Sequence, residues 1–126
     1  MKNLRNVDYR LKQKLLYIEK TPPEILASYG DALLEQGRIS DALDFYQKAG
    51  RSDGLRKIKD LAFDSGDVML FQQAAKALQE EPKTKDWNDI AQKAIALKKY
   101  SFALQALQKA ENEEGLNALK NQLQKG

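Results

Sequence analysis

Neither cysteine nor histidine occurs among the 126 residues. That double absence excludes disulfide frameworks, zinc fingers, thiol nucleophiles, and histidine as triad member or general base. Three prolines and seven glycines are too few for a linker or a loop-rich β fold. No apolar run approaches the roughly 18 residues that read as a membrane-spanning helix. The basic N-terminus also lacks the uninterrupted apolar core of a secretory signal. Without imidazole or thiol, a metal site would have to be built of oxygen, and no EF-hand-like loop or glycine-rich phosphate loop is present. Paired carboxylates do occur (Asp60 with Asp64, Glu80 with Glu81, Glu113 with Glu114). They lie in strongly polar stretches, whereas general acid–base chemistry needs a desolvated carboxylate. The expectation is a protein with no catalytic residues, no cofactor and no metal. The missing cysteines fit a reducing, cytoplasmic setting.

What is present is charge and helical periodicity. Charged residues make up 31% and hydrophobic ones 42%, the balance of a soluble helical domain rather than a disordered chain. The basic excess is local. Lys2, Arg5, Arg10, Lys12, Lys14 and Lys20 face only Asp8 and Glu19 within residues 1–20, while the rest of the chain is close to neutral.

Apolar residues recur at helical spacing throughout, with no sustained strand alternation. Leu4, Val7, Leu11, Leu15 and Ile18 predict a first amphipathic helix over 1–20. Thr21-Pro22-Pro23-Glu24 reads as a helix start, with Thr21 as N-cap, Pro22 at the first helical position and Glu24 closing a capping box. Ile25, Leu26, Tyr29, Leu33 and Leu34 face inward along the second helix, which Gly37 ends. Ile39, Ala42, Leu43, Tyr46 and Ala49 mark the third. Gly50 and Gly54 flank a Ser52-Asp53 cap for the fourth, striped by Leu55, Ile58, Leu61 and Ala62. Val68, Phe71, Ala74, Ala75 and Leu78 form the fifth, which Pro82 stops. Trp87, Ile90, Ala91, Ala94 and Ile95 form the sixth, capped by Thr84 or Asp86. Tyr100, Ala103, Leu104, Leu107 and Ala110 follow after a turn at Lys98-Lys99, and Leu116, Leu119 and Leu123 mark the eighth. Such short connections make consecutive helices antiparallel.

Helices two to seven fall into three hairpins, 23–50, 52–81 and 84–111, between a basic capping helix at 1–20 and a C-terminal one at 112–125. The first hairpin reads Leu26-x-x-Tyr29-Gly30-x-x-Leu33, then Ala42-x-x-x-Tyr46-x-x-Ala49. The third reads Trp87-x-x-Ile90-Ala91-x-x-Ala94, then Ala103-x-x-x-Leu107-x-x-Ala110. Over residues 23–111 this resembles the tetratricopeptide repeat. Small residues (Gly30, Ala42, Ala49, Ala91, Ala103, Ala110) occupy positions where helix backbones approach closely. A glycine in mid-helix at Gly30 costs about 1 kcal/mol relative to alanine, which a close contact would offset. The middle hairpin departs from the pattern. Phe71 stands where it wants Ala, Ala75 where it wants an aromatic, and Lys59 at a small-residue position. Pentatricopeptide and Sel1-type repeats are neighbouring resemblances. The former would imply single-stranded RNA, but no paired Asn/Asp/Thr/Ser positions recur.

The resemblance implies an all-α, right-handed α-solenoid in a single domain over 1–126, with about eight helices. It also implies a concave groove, lined by the first helix of each hairpin, that presents itself to a peptide or partner helix. Carried over by position, that face holds Glu24, Ala27, Ser28, Asp31 and Leu34 from the first hairpin. Asp53, Arg56, Lys57, Asp60 and Asp64 follow from the second, and Lys85, Asn88, Asp89, Gln92 and Ala96 from the third. The expected function is non-catalytic protein–protein interaction, as an adaptor or scaffold of unknown partner. The competing reading of the same face is a solvated surface laced with i,i+3 and i,i+4 ion pairs. The alternative function is RNA or anionic-surface binding through Lys2, Arg5, Arg10, Lys12 and Lys14. Against it, the Leu/Val stripe of that helix suits a cap over the first hairpin. Self-association through a face left uncovered by the cap is a further expectation.

Overall fold

A computed structural model describes residues 6–125, and among these every regular element is helical. The order is α1 (Tyr9–Gln13), a π-helical turn (Lys14–Ile18), α2 (Pro23–Glu35), α3 (Ile39–Ala49), α4 (Ser52–Asp64), α5 (Val68–Ala77), α6 (Thr84–Ala96), α7 (Tyr100–Lys109) and α8 (Glu113–Lys125). Neighbouring helices pack in pairs, most closely α2 with α3 and α6 with α7. The chain divides between Ile58 and Lys59 into two compact units. The division falls inside α4, within the second hairpin read from the sequence. No helix of the described residues is long and apolar enough to cross a membrane.

Six turns share one construction. Gly37, Gly50, Gly66, Gln79, Lys98 and Glu111 all adopt left-handed backbone, with φ between 56° and 79°. After each, the next N–H donates to a carbonyl five residues back, as Arg38 N–H does to Leu33 and Asn112 N–H to Leu107, at 2.8–3.0 Å. This is the Schellman motif, which satisfies carbonyls that the end of a helix leaves open. At five of the six, that same next residue supplies the first carbonyl of the following helix, as Arg38 does to Ala42 N–H and Asp67 to Phe71 N–H, both at 3.0 Å. The chain therefore reverses with almost no loop. The exception is Gln79, after which Glu80–Lys83 form a longer connection. Pro82 lies inside that connection and does not end α5; Gln79 does.

The first unit is organised around Tyr46 on α3. A Cβ built on Gly30 of α2 would lie 2.8 Å from the ring's Cε1, and one on Gly54 of α4 would lie 2.6 Å from Cγ. Both distances are closer than a methyl group tolerates, so the two glycines permit the ring to sit against both helices. The Tyr46 hydroxyl donates to Asp31 at 2.5 Å. Phe45, absent from the expected stripe, is fully buried and stacks on Tyr29 at 5.7 Å. Gly54 is not a residue flanking the cap but part of the buried face of α4, beside Leu55 and Ile58.

In the second unit Phe71 meets Trp87 edge-on at 5.7 Å and Phe63 at 6.2 Å. The size swap of the middle hairpin thus builds an aromatic cluster. Lys59, at a small-residue position, runs its stem over this cluster, its ammonium 5.5 Å from the Phe71 ring and 2.8 Å from Glu80. Gly66 comes so near α6 that a Cβ there would lie 2.9 Å from the Ala94 Cα. Lys99 Nζ donates to the Ser65 carbonyl at 2.6 Å, tying that turn to α7. Of the alanines expected at close approaches, Ala42, Ala91 and Ala103 are fully buried and Ala110 is buried, while Ala49 is only half-buried.

Several expectations are corrected. The first helix begins at Tyr9, and Leu4 lies outside the described residues. Its second half winds as a π-helix, closed by Glu19 N–H to Lys14 C=O at 2.8 Å. The wider turn shifts the apolar face, so Leu15 and Leu16 are buried while Ile18 is 75% exposed. Pro22, not Thr21, is the N-cap of α2, because Pro23 forces the preceding residue out of helical geometry. The Thr21 hydroxyl instead donates to the Leu15 carbonyl at 3.1 Å. Ile25, Leu61 and Leu123 are exposed rather than inward.

Two predictions follow the packing and the turns. Gly30→Ala and Gly54→Ala should each destabilise the protein by about 1–3 kcal/mol, because overpacking outweighs the helix-propensity gain of about 1 kcal/mol. In a Tyr46→Ala background the same Gly54→Ala change should stabilise, a sign reversal that urea denaturation can read. At the turns, Gln79→Gly, Lys98→Gly and Glu111→Gly should raise the melting temperature, each relieving up to about 1 kcal/mol of left-handed strain. Gly66→Ala should be the most damaging glycine change, since its added methyl meets backbone that cannot give way.

Candidate functional site

The first helices of the three hairpins carry the expected binding residues, and their local pairing differs from one residue to the next. On α2, Glu24 is exposed, while the Ser28 hydroxyl donates to the Glu24 carbonyl at 3.0 Å, closing within the helix. Asp31 is exposed, but its carboxylate already accepts from the Tyr46 hydroxyl. Burial, and then the Asp31 carboxylate it donates to, hold the Tyr46 hydroxyl protonated well above the ordinary tyrosine range. Ala27 is buried and does not belong to an outward face.

On α4, Lys57, Asp60 and Asp64 are exposed with no hydrogen bond or ion pair to other described side chains, and Arg56 is exposed. Arg51 grips Asp53 through two N–H···O contacts of 3.0 Å and pulls its carboxyl down to about 2. On α6, Lys85 holds Asp89 at 2.6 Å, one turn away. Asn88 accepts from the Asn112 side chain at 2.9 Å, and Asn112 in turn caps α8 by accepting from Gly115 N–H at 2.8 Å. Asn88 thus serves as a strut to the C-terminal helix. Gln92 is exposed and uncommitted.

The basic surface expected at the N-terminus is smaller than its sequence. Lys2 and Arg5 lie outside the described residues. Lys12 turns inward, its ammonium 2.9 Å from Asp41 and 2.6 Å from Asp44 on α3. Burial works against that charge, and the hydrogen bonds to Asp44 and Asp41 outweigh it, holding the ammonium above its ordinary pKa. Lys14 pairs with Glu19 at 3.4 Å. Arg10 remains exposed, as do Tyr9, Tyr17 and Ile18, at 75%, 64% and 75%.

Sequence reasoning missed a half-open cleft of about 660 Å³ in the second unit. It is lined by Gln72 and Lys76 of α5, the Gln79–Pro82 connection, Thr84 and Trp87 of α6, and Lys109 of α7. The Lys109 ammonium lies 5.8 Å from the Trp87 ring centroid. The signal in the sequence was slight, because Trp87 reads as a core residue of the repeat pattern. Among the described residues no group of acidic side chains is arranged to hold a metal ion.

Comparison of the chain with protein-family models, with curated proteins and with solved structures finds no match.

The Lys12 contacts make the seating of the N-terminal segment pH-dependent. The Lys12 ammonium beside Asp41, aided by Arg38, holds the Asp41 carboxyl below its ordinary range. A depressed carboxylate stabilises the fold above its unfolded pKa of about 4 and loses that contribution as pH falls toward the folded value. Between about pH 6 and pH 3 the urea midpoint of the wild type should therefore fall more steeply than that of Lys12→Met. Parallel curves would show that the contact contributes nothing.

Proposed function

We propose that the protein is a non-catalytic interaction module, in which the three hairpins stack as a tetratricopeptide-like, right-handed solenoid. In this reading the outward faces of α2, α4 and α6 form one concave groove for a peptide or a partner helix. The observation that carries it is the division of labour along those helices. Their inward faces hold fully buried side chains such as Leu33, Ile58 and Ile90. Their outward faces keep Glu24, Lys57, Asp60, Asp64 and Gln92 exposed and uncommitted, donors and acceptors of both signs available to an extended chain. The recurring turn supports the stack. Each second helix fits the same span of thirteen residues between left-handed positions, 37 to 50, 66 to 79 and 98 to 111. Second helices of 11, 10 and 10 residues and first helices of 13 residues each are what a repeated hairpin requires, and the unequal spacing of the hairpins lies in the connections between them. The close approaches at Gly30, Gly54 and Gly66 support it further, since small residues let successive helices lie backbone to backbone.

Binding of nucleic acid or an anionic surface through the N-terminal segment has less behind it. With Lys12 committed to two aspartates and Lys14 to Glu19, Arg10 is the exposed unpaired cation among the described residues of α1 and the π-helical turn. One such charge releases few counterions.

Affinity capture with mass spectrometry tests the groove. Proteins recovered by the wild type should be lost with Lys57→Glu combined with Asp64→Lys, and retained with Gln105→Glu on the outer face of α7. An unchanged set of proteins with the α4 variant would overturn the assignment of the binding face.

A further inference from the structure

The cleft between α5, α6 and α7 carries a charge balance that its own residues do not close. Lys76 and Lys109 both line it, and neither pairs with a carboxylate of the described residues. Lys109 has instead the face of Trp87, at 5.8 Å. Of the two acids in the wall, Glu80 is already held by Lys59 at 2.8 Å, which leaves Glu81 alone against two ammonium groups. The polar side chains beside them, Gln72, Gln79 and Thr84, make no side-chain hydrogen bond to other described residues. Trp87 and Pro82 add apolar surface to the lining.

We infer that this cleft binds an acidic peptide segment of a partner protein, with Lys76 and Lys109 receiving its carboxylates. The cleft's 660 Å³ lies within the range of roughly 300–1,000 Å³ typical of ligand sites, and it is half open, which leaves room for a chain to continue beyond it. Two amides and a hydroxyl give a peptide main chain the donors and acceptors it needs, groups that a small free carboxylate would leave in water. The methylene stems of Glu or Asp side chains can lie on Trp87 while their carboxylates reach the ammonium groups. A carboxylate arriving at Lys109 competes with the ring for the same cation, so binding draws the ammonium away from Trp87. This site is separate from the α2, α4 and α6 faces, and it stands or falls without them.

Trp87 is the one tryptophan of the chain, so its fluorescence reports this cleft alone. The probe is a hexapeptide of alternating Asp and Glu, capped at both ends and titrated into the full chain at low salt, with calorimetry in parallel. A saturable change in Trp87 emission is expected, weakened by added salt. Lys76→Gln with Lys109→Gln should raise the dissociation constant at least about tenfold, the scale of losing one or two charge-assisted hydrogen bonds. Lys57→Glu, which tests the groove, should leave it unchanged. The Asn/Gln version of the peptide should not bind. No saturable signal up to about 1 mM peptide would overturn the inference. So would equal affinity in the double-lysine variant or for the Asn/Gln peptide, or a loss caused by Lys57→Glu. Free glutarate binding as tightly as the hexapeptide would mark a small-anion site and overturn the peptide assignment.

Discussion

The aromatic ring of Tyr46 rests against α2 and α4 at two points where a methyl group would not fit, and the first unit depends on those two vacancies. Gly30 and Gly54 each forgo helix propensity, about 1 kcal/mol apiece relative to alanine. What they permit is a large ring in van der Waals contact with backbone, its hydroxyl paired with Asp31. The same logic appears in the second unit at Gly66, where the approach is to the backbone of α6 itself. In each case the distance between helices is set by a missing side chain, and larger residues then fill what space remains. Phe45 against Tyr29, and Phe71 against Trp87 and Phe63, are consequences of that spacing.

The second regularity is in the turns. A left-handed residue followed at once by the start of the next helix reverses the chain and satisfies the open carbonyls in one step. Glycine is the residue suited to that backbone, and it occupies three of the six positions. The other three, Gln79, Lys98 and Glu111, lie in the second unit and adopt the same geometry against the preference of their side chains. Tertiary packing of the helices on either side is strong enough to impose the turn. That is why Gly37 marks its reversal in the sequence, whereas Pro82 draws attention away from Gln79 at the end of α5.

The candidate sites show the limits of reading faces from spacing. The resemblance assigned Glu24, Lys57, Asp60, Asp64 and Gln92 to one face of the first helices, and each of them is exposed. It could not say which neighbours on those faces already have partners. Asn88 supports α8, Asp31 accepts from Tyr46, and Lys12 reaches across to α3, all through contacts between residues 15 to 32 positions apart. The cleft around Trp87 was invisible for the same reason. Its walls come from α5, α6, α7 and a connecting loop, and only folding brings Lys76 and Lys109 to one place.

Local patterning by itself determined the helical class, the number of helices, nearly all of their boundaries and most of the buried stripe. These depend on interactions within a few residues, namely apolar spacing, capping and left-handed glycine. Tertiary structure decided what local patterning left open. The π-helical turn exchanged Ile18 for Leu16 in the core, and Lys59 found a place over Phe71. Each outcome balances a small local preference against burial and pairing with residues distant in the chain, and a one-dimensional pattern carries no distance between them.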